Sequence, residues 1–529
     1  MSHGRVGSSG QWMVWVAAMT VFAVVGAACL AQTAPPASGQ TDSAESATPM
    51  TKAQAKELFQ SVDTILQFVS NDSKLPIEHK VKRKLISRDE VNKYLTKKFD
   101  DDQSAKRMER DEIVLKKFGL LDRDFQLKPF LLGLLTEQIA GFYDNKTKTV
   151  NLLDWIKLDD QKPVLAHELT HALQDQKVGL EKWSDVGDDG IARNVSEDNH
   201  HLQTDEAETA RSAVAEGQAM AVFVDYTLRS TGKTIADAPG IGEKLKDLAA
   251  DTSGSPMMSR APLLLQQSLI FPYSDGLAFE QAILVKQGRD AAFAGVLANP
   301  PSSSFEIMNP AAYMAHVPVP VLRLPDIHPL IDAEYTPYDV GVMGELDVRI
   351  LTELFGGRKL SAVLTPQWAG GLYYAAQRKS AVTEAEKDST ASLGLLYYSR
   401  WKSEDAARSF LQVYETEIAR KYLHAERRQR DEADAGERVY STGEGDVLLS
   451  ISGKDVFVSE GFELSLARKL RDQIESGQGV GPLKIADVPM HEPALSMSRS
   501  LASFGMMRVG LGRYTLNGTQ AASEPGRAH

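Results

Sequence analysis

Pro163-Val-Leu-Ala-His-Glu-Leu-Thr-His-Ala-Leu-Gln-Asp-Gln176 is the stretch that decides how the rest of this chain is read. Its apolar residues recur at helical spacing, and Pro is acceptable in a first helical turn. On a helix, positions i and i+4 stand on one face, a turn apart. His167 and His171 can therefore present two imidazole nitrogens to one metal ion. Glu168 lies beside the first of them without being a ligand itself. In such an HExxH arrangement the metal acidifies water and the glutamate accepts its proton. Val164, Leu165, Leu169, Ala172 and Leu173 supply apolar surface that would hold the helix rigidly in a core. The bland alternative is an ordinary pair of histidines.

Two histidines do not hold a catalytic ion, which usually has three protein ligands and an open fourth position. Gln174 and Lys177 stand where an HExxHxxGxxH pattern would place its Gly and third His, so the third ligand must come from elsewhere. Glu216 is the best candidate, on a long helical pattern from about Asp205 to Arg229. Gly217 beside it costs about 1 kcal/mol relative to Ala in mid-helix, which makes sense where two helices approach closely. Ala213, Ala215, Ala219 and Ala221 add a small-residue surface that could pack beside the HExxH helix. Thr204 reads as that helix's N-cap, with Asp205, Glu206 and Glu208 serving the helix dipole. Glu208 is the fallback ligand, and a solvated charge is the plain alternative for Glu216. His200 and His201 fall in a polar stretch, 184–201, that reads as a surface loop.

The whole chain has 529 residues, 43% hydrophobic and 25% charged, with 59 Lys+Arg against 71 Asp+Glu and a formal charge of −12. An acidic chain without a basic stripe argues against nucleic-acid binding. The single cysteine, Cys29, excludes a disulfide framework and any multi-thiolate metal site. The apolar run from Trp12 to Leu30, followed by small residues, reads as a signal peptide (1–31), so the chain is expected to be exported, periplasmic or secreted. A retained anchor and a lipid anchor at Cys29, after Gly26-Ala27-Ala28, are the alternatives.

Residues 32–50 are rich in Ala, Ser, Thr and Pro and read as a flexible linker. Helical spacing runs from Lys52 to Val69, a strand is expected at Val81–Ile86, and Ser87 with Glu90 forms a capping-box signature. Ile139–Asp144 and Thr149–Leu153 flank a polar turn as a hairpin. A helix pair is expected around Phe271-Pro-Tyr-Ser-Asp-Gly276, and 299–337 reads as an irregular connection. A second unit, 339–481, reads as a helix (Gly344–Phe355), a strand (Ser392–Trp401), a helix opened by Ser403, a hairpin (Val447–Glu460) and a last helix near Leu464–Ile474. From Pro482 to residue 529 the periodicity is lost, as in a disordered tail.

With these residues in place, the chain resembles the gluzincin zinc metallopeptidases, in which a helical HExxH and a Glu on a later helix bind the metal. It is more closely similar to a family of exported bacterial HExxH proteins. The similarity lies in Glu137-Gln-Ile-Ala-Gly-Phe-Tyr-Asp144, His167–Gln176, Glu216-Gly-Gln-Ala219, Phe271–Gly276 and Pro300-Pro-Ser-Ser-Ser304. It covers roughly residues 80 to 420. The resemblance implies Zn2+ held by His167, His171 and Glu216, and Glu168 as general base.

It also implies an α+β fold: a zincin-like, mainly helical catalytic domain with a small antiparallel sheet (51–338), then a smaller α+β domain. Met220 stands where gluzincins carry an Asp that orients a ligand His. Gln367-Trp-Ala-Gly370 departs from the family's Gly-rich run, and no His lies near Asn309-Pro310. The expected reaction is hydrolysis of a peptide or protein substrate, with Tyr273 as candidate oxyanion stabiliser and Tyr143 and Tyr226 as weaker ones. The Ile139–Leu153 hairpin is the candidate edge for an extended peptide. The rival reading is a non-catalytic envelope protein with a structural zinc site and a partner-binding C-terminal domain. Oligomeric state is not legible.

Overall fold

A computed structural model describes residues 50–99, 102–139, 141–184, 194–244 and 255–478. The expected signal peptide, the linker up to residue 49, and the tail from Pro482 lie outside the described residues. No helix among the described residues is long and apolar enough to cross a membrane.

The fold is α+β. Its first half holds α1 (Lys52–Ser73), β1 (Lys82–Ile86), α2 (Arg88–Phe99), α3 (Asp102–Phe118), α4 (Leu127–Gln138), β2 (Gly141–Asp144), β3 (Thr149–Leu153) and α5 (Leu158–Val178). Then come α6 (Val195–Thr204), α7 (Ala207–Leu228) and α8 (Leu263–Gln287). The small sheet has the order β1-β3-β2. It is mixed rather than wholly antiparallel, because β1 runs parallel to β3 while β2 and β3 form the expected hairpin.

The second half holds β4 (Tyr335–Val342), α9 (Glu345–Gly356), α10 (Arg358–Leu364), β5 (Trp368–Arg378), β6 (Leu393–Trp401), α11 (Glu404–Lys421), β7 (Glu426–Arg427), β8 (Glu437–Thr442), β9 (Gly445–Ser452), β10 (Asp455–Glu460) and α12 (Leu464–Gly477). Its sheet is seven-stranded, in the order β4-β5-β6-β10-β9-β8-β7, with every pairing antiparallel. Alternate residues of β5 and β6 feed two cores. Tyr373, Ala375, Leu395 and Tyr397 join the cluster that begins at Leu58. Leu372, Tyr374, Leu396 and Tyr398 join a second cluster with Leu470 and Ile474 of α12.

Three helical expectations are corrected. The stretch before α7 is not all loop: Asn194 caps α6, accepting from Ser196 N and Glu197 N at 3.1 Å each. Thr204 is the last residue of α6 rather than the cap of α7, and Glu206 takes the cap position. The segment around Phe271–Gly276 is one helix, with Pro272 inside it. Pro removes one ladder bond and crowds the preceding turn, but α8 is buried on all sides and packing holds it continuous.

The contact of α7 with α8 fixes the geometry of this half. A Cβ on Gly217 would lie 2.3 Å from Gly276 O, and one on Gly276 would lie 2.1 Å from Ala213 O. The close approach read from Gly217 is therefore to α8, not to the HExxH helix. Backbone cannot yield as a flexible side chain can. Gly217→Ala and Gly276→Ala are each expected to cost roughly 1–3 kcal/mol, the range for overpacked cores, read as a lower urea midpoint.

Asp205 and Glu206 do more than face a helix dipole. Asp205 Oδ2 accepts from Val342 N at 2.6 Å. Glu206 Oε1 accepts from Ser304 N at 3.3 Å and from the Ser304 hydroxyl. Gly344 sits against the Glu206 carboxyl, where any Cβ would collide. Burial, with Asp347 nearby, pushes Glu206 up to about 8. Its raised value means that the folded chain favours the protonated acid. That contribution is complete below its ordinary value of 4.5 and is lost as pH rises through about 8. Glu206→Gln is expected to fold and to lose less stability than the parent between about pH 5 and about pH 9, measured as Tm against pH.

Candidate metal centre

Helix α5 is buried along most of its length, including seven of its polar residues from Gln161 to Asp175. Those polar side chains tie it to its surroundings. Gln161 Oε1 accepts from Leu153 N at 3.2 Å, and its amide donates to Leu153 O and Ile156 O at 2.8 and 2.9 Å. Gln176 Oε1 accepts from Glu78 N and His79 N at 2.7 and 2.9 Å. Asp175 accepts from the Tyr143 hydroxyl at 2.7 Å, from Lys148 Nζ at 2.6 Å and from Leu180 N at 3.0 Å. The hairpin β2–β3 is thus fastened to the helix that carries His167 and His171.

On the inner face of α5 the two imidazoles meet Glu216 from α7. His167 Nε2 and His171 Nε2 are 3.0 Å apart. Glu216 Oε2 lies 3.0 Å from the first and 3.5 Å from the second. These three residues form the one metal-capable group found among the described residues, and they could hold a metal ion. Glu208, the fallback, is not part of it.

Glu168 turns away from the triad towards β2. Its Oε2 accepts from Tyr143 N at 2.8 Å, and its Oε1 has no hydrogen-bond partner among the described residues. Burial pushes Glu168 up to about 8, helped by the charge of Glu216. Burial acts on Glu216 in the same direction, but His171 and His167 outweigh it and hold Glu216 at about 2. For His171, burial lowers the pKa and the Glu216 carboxylate outweighs it, giving a net rise. The two glutamates are therefore pushed in opposite directions although both are wholly buried.

The other candidates fall as follows. Tyr273 is buried, and its ring lies parallel to that of His167, centroids 6.3 Å apart. Tyr143 gives its hydroxyl to Asp175 and its backbone N–H to Glu168. Tyr226 packs edge-on to Phe68 at 5.1 Å, under Arg229. His201 is buried rather than on the surface, 3.1 Å from Asp205 Oδ1. His200 is half-buried, and neither joins the triad. The sequence reading missed Gln174, whose Oε1 lies 2.9 Å from His171 Nδ1. The available signal was its place three residues after a ligand candidate, on the same helix face.

Compared with protein-family models, curated proteins and solved structures, the chain has no match.

A site of this kind binds only the folded state, so an ion is expected to raise Tm. At a hundredfold excess over Kd the gain is about 2.7 kcal/mol. Titrating metal-free protein with Zn2+ or Co2+ should show saturation near one ion per chain. Glu216→Ala and His171→Ala should each abolish the stabilisation.

Proposed function

We propose that the chain is an exported, zinc-dependent peptidase with a gluzincin-type ligand set. The observation that carries this reading is Glu168: it adjoins a ligand, is not one, and keeps one carboxylate oxygen without a hydrogen-bond partner. Zinc fits the donor set, since two imidazoles and one carboxylate suit it. Ligand atoms about 2.1 Å from a tetrahedral ion are about 3.4 Å apart. The observed separations of 3.0, 3.0 and 3.5 Å are of that size. A bound ion would supply Lewis acidity towards water and a carbonyl oxygen.

The chain's own residues then do the following. His167, His171 and Glu216 would hold the ion. Glu168 takes a proton from the attacking water and passes it to the leaving amine, anchored through its other oxygen by Tyr143 N–H. Burial pushes Glu168 up to about 8 without an ion, and the charge of a bound ion would draw it down towards the range of a base at neutral pH. Tyr273, beside His167, is the candidate to stabilise the developing oxyanion. Strand β2 is the outer strand of its sheet. In an antiparallel pair, a residue whose N–H points away from the partner strand also points its C=O away. Tyr143 is such a residue; its N–H is given to Glu168, which leaves its C=O as the acceptor this edge would offer an extended peptide.

A second reading is favoured by one observation. His167, Glu168 and Glu216 are each 0% exposed and His171 is 1% exposed. Such closure also suits a structural zinc staple in a non-catalytic, partner-binding envelope protein. Glu168→Gln separates the two. Under the peptidase reading it keeps fold and zinc and loses about 10²–10⁴-fold in hydrolysis of an unstructured protein substrate. Equal activity of parent and variant, or none in either, rejects the peptidase.

A further inference from the structure

The partner of His171 belongs to a longer chain of side chains whose polarity can be derived atom by atom. Gln174 Nε2 lies 3.0 Å from Ala215 O and 2.9 Å from Gln218 Oε1. A backbone carbonyl only accepts, so the atom facing Ala215 O must be the amide nitrogen. Flipping the amide would set oxygen against oxygen. Gln174 Oε1 therefore faces His171 Nδ1, 2.9 Å away, and can only accept from it. The proton of a neutral His171 must then sit on Nδ1, which leaves Nε2 with its lone pair towards His167 and Glu216.

The next side chain is fixed in the same way. Gln218 Nε2 lies 2.8 Å from Ala292 O and 3.1 Å from Phe293 O. Both are acceptors, so Gln218 Oε1 must point back at Gln174. The two carbonyls belong to a π-helical turn, Ala291–Gly295, a rare geometry found mostly as short insertions and often at functional sites. All three side chains, His171, Gln174 and Gln218, are buried, so water offers none of them another partner.

We infer that Gln174 and Gln218 are positioning residues. They lock His171 in its Nδ1–H tautomer and tie the ring to the Ala291–Gly295 turn. The inference rests on the proposed metal site for its functional meaning. The arrangement explains an amide at position 174, where a carboxylate would serve His171 equally well. A carboxylate there would also face Ala215 O and Gln218 Oε1, two acceptors that only an N–H can meet.

The test uses the full-length chain with Gln174→Ala and Gln218→Leu, each titrated for zinc against a chromophoric chelator. Loss of an outer partner of a ligand histidine weakens metal binding by about 10–100-fold, and that is expected for Gln174→Ala. Gln218→Leu touches no ligand and is expected to weaken it by more than twofold but less than Gln174→Ala does, through the ring it no longer steadies. Leu470→Ala, a buried change in α12 within the second core cluster, should lower Tm without moving Kd, which separates positioning from general destabilisation. Zinc affinity within twofold of the parent in both glutamine variants overturns the inference.

Long-range 15N–1H correlations of histidine-labelled, metal-free protein at alkaline pH read the tautomer directly. Nδ1–H is expected in the parent and a mixture in Gln174→Ala. Nε2–H in the parent overturns the inference, whatever the metal does. A parent that takes up no zinc but shows Nδ1–H upholds the lock and overturns the metal reading alone.

Discussion

The structure around the triad depends on a contact between two backbones. Gly217 and Gly276 let α7 and α8 touch main chain to main chain, closer than any side chain permits. Glu216 is the residue before the first glycine, and Tyr273 lies one turn before the second. The contact thus sets the depth at which one helix offers a carboxylate to α5 and the other lays an aromatic ring along His167. Interiors pack at crystal-like density and pass strain on. A shift at the glycines would therefore reach the imidazoles without changing any ligand. The mid-helix cost of Gly217 was visible in the sequence; the helix it serves was not.

Helix α5 shows how one segment can both carry chemistry and organise its neighbours. Buried polar groups are tolerated only when hydrogen-bonded. Here Gln161 meets that demand at the end of β3, Asp175 on the hairpin and Gln174 on His171, and the part-exposed Gln176 adds a tie to the chain before β1. Four polar residues in a mostly apolar environment specify where four other pieces of backbone must lie. Asp205 and Glu206 do the same for the start of α7, on Val342 and Ser304. Ser304 N–H and hydroxyl both serve Glu206, which gives the Pro300–Ser304 segment a structural role.

Much of this was legible in the chain because it follows local rules. His167, Glu168 and His171 are ordered by helical pitch alone. Ser403 caps α11, accepting from Ala406 N at 3.2 Å, as its sequence indicates. The β2–β3 and β9–β10 hairpins announce themselves by apolar runs around polar turns. What was not legible depends on tertiary surroundings. The inward face of α6 is Asp198, His201 and Leu202, too polar to stand out as a helix stripe. Strand β5 is buried on both faces, so the apolar-polar alternation that marks a strand is absent, and its Ala and Gly residues have low strand propensity. Pro272 signals a break that packing overrides. Met220 stands where the resemblance places an acid that orients a ligand histidine, and the partner of His171 lies on its own helix, at Gln174.

Charge balance joins the two glutamates into one argument. The triad places the Glu216 carboxylate, held low by the two histidines, in a wholly buried site. Without an ion, a second charge on Glu168 would stand unbalanced in low dielectric, and burial keeps its proton on, up to about 8. On the proposed reading a divalent ion changes the sum. With Glu216 alone ionised the site would carry one excess positive charge, and with Glu168 ionised as well it is neutral. A nearby metal charge inverts the local pKa logic. The same burial that makes Glu168 a poor base in the empty protein would then make it a competent one only when the ligands are filled. A buried glutamate beside a metal-capable triad, held by one backbone N–H and otherwise free, is built to respond to that change. A staple differs in its demand, because a structural zinc is usually closed by a fourth protein ligand, and among the described residues the metal-capable group holds only three.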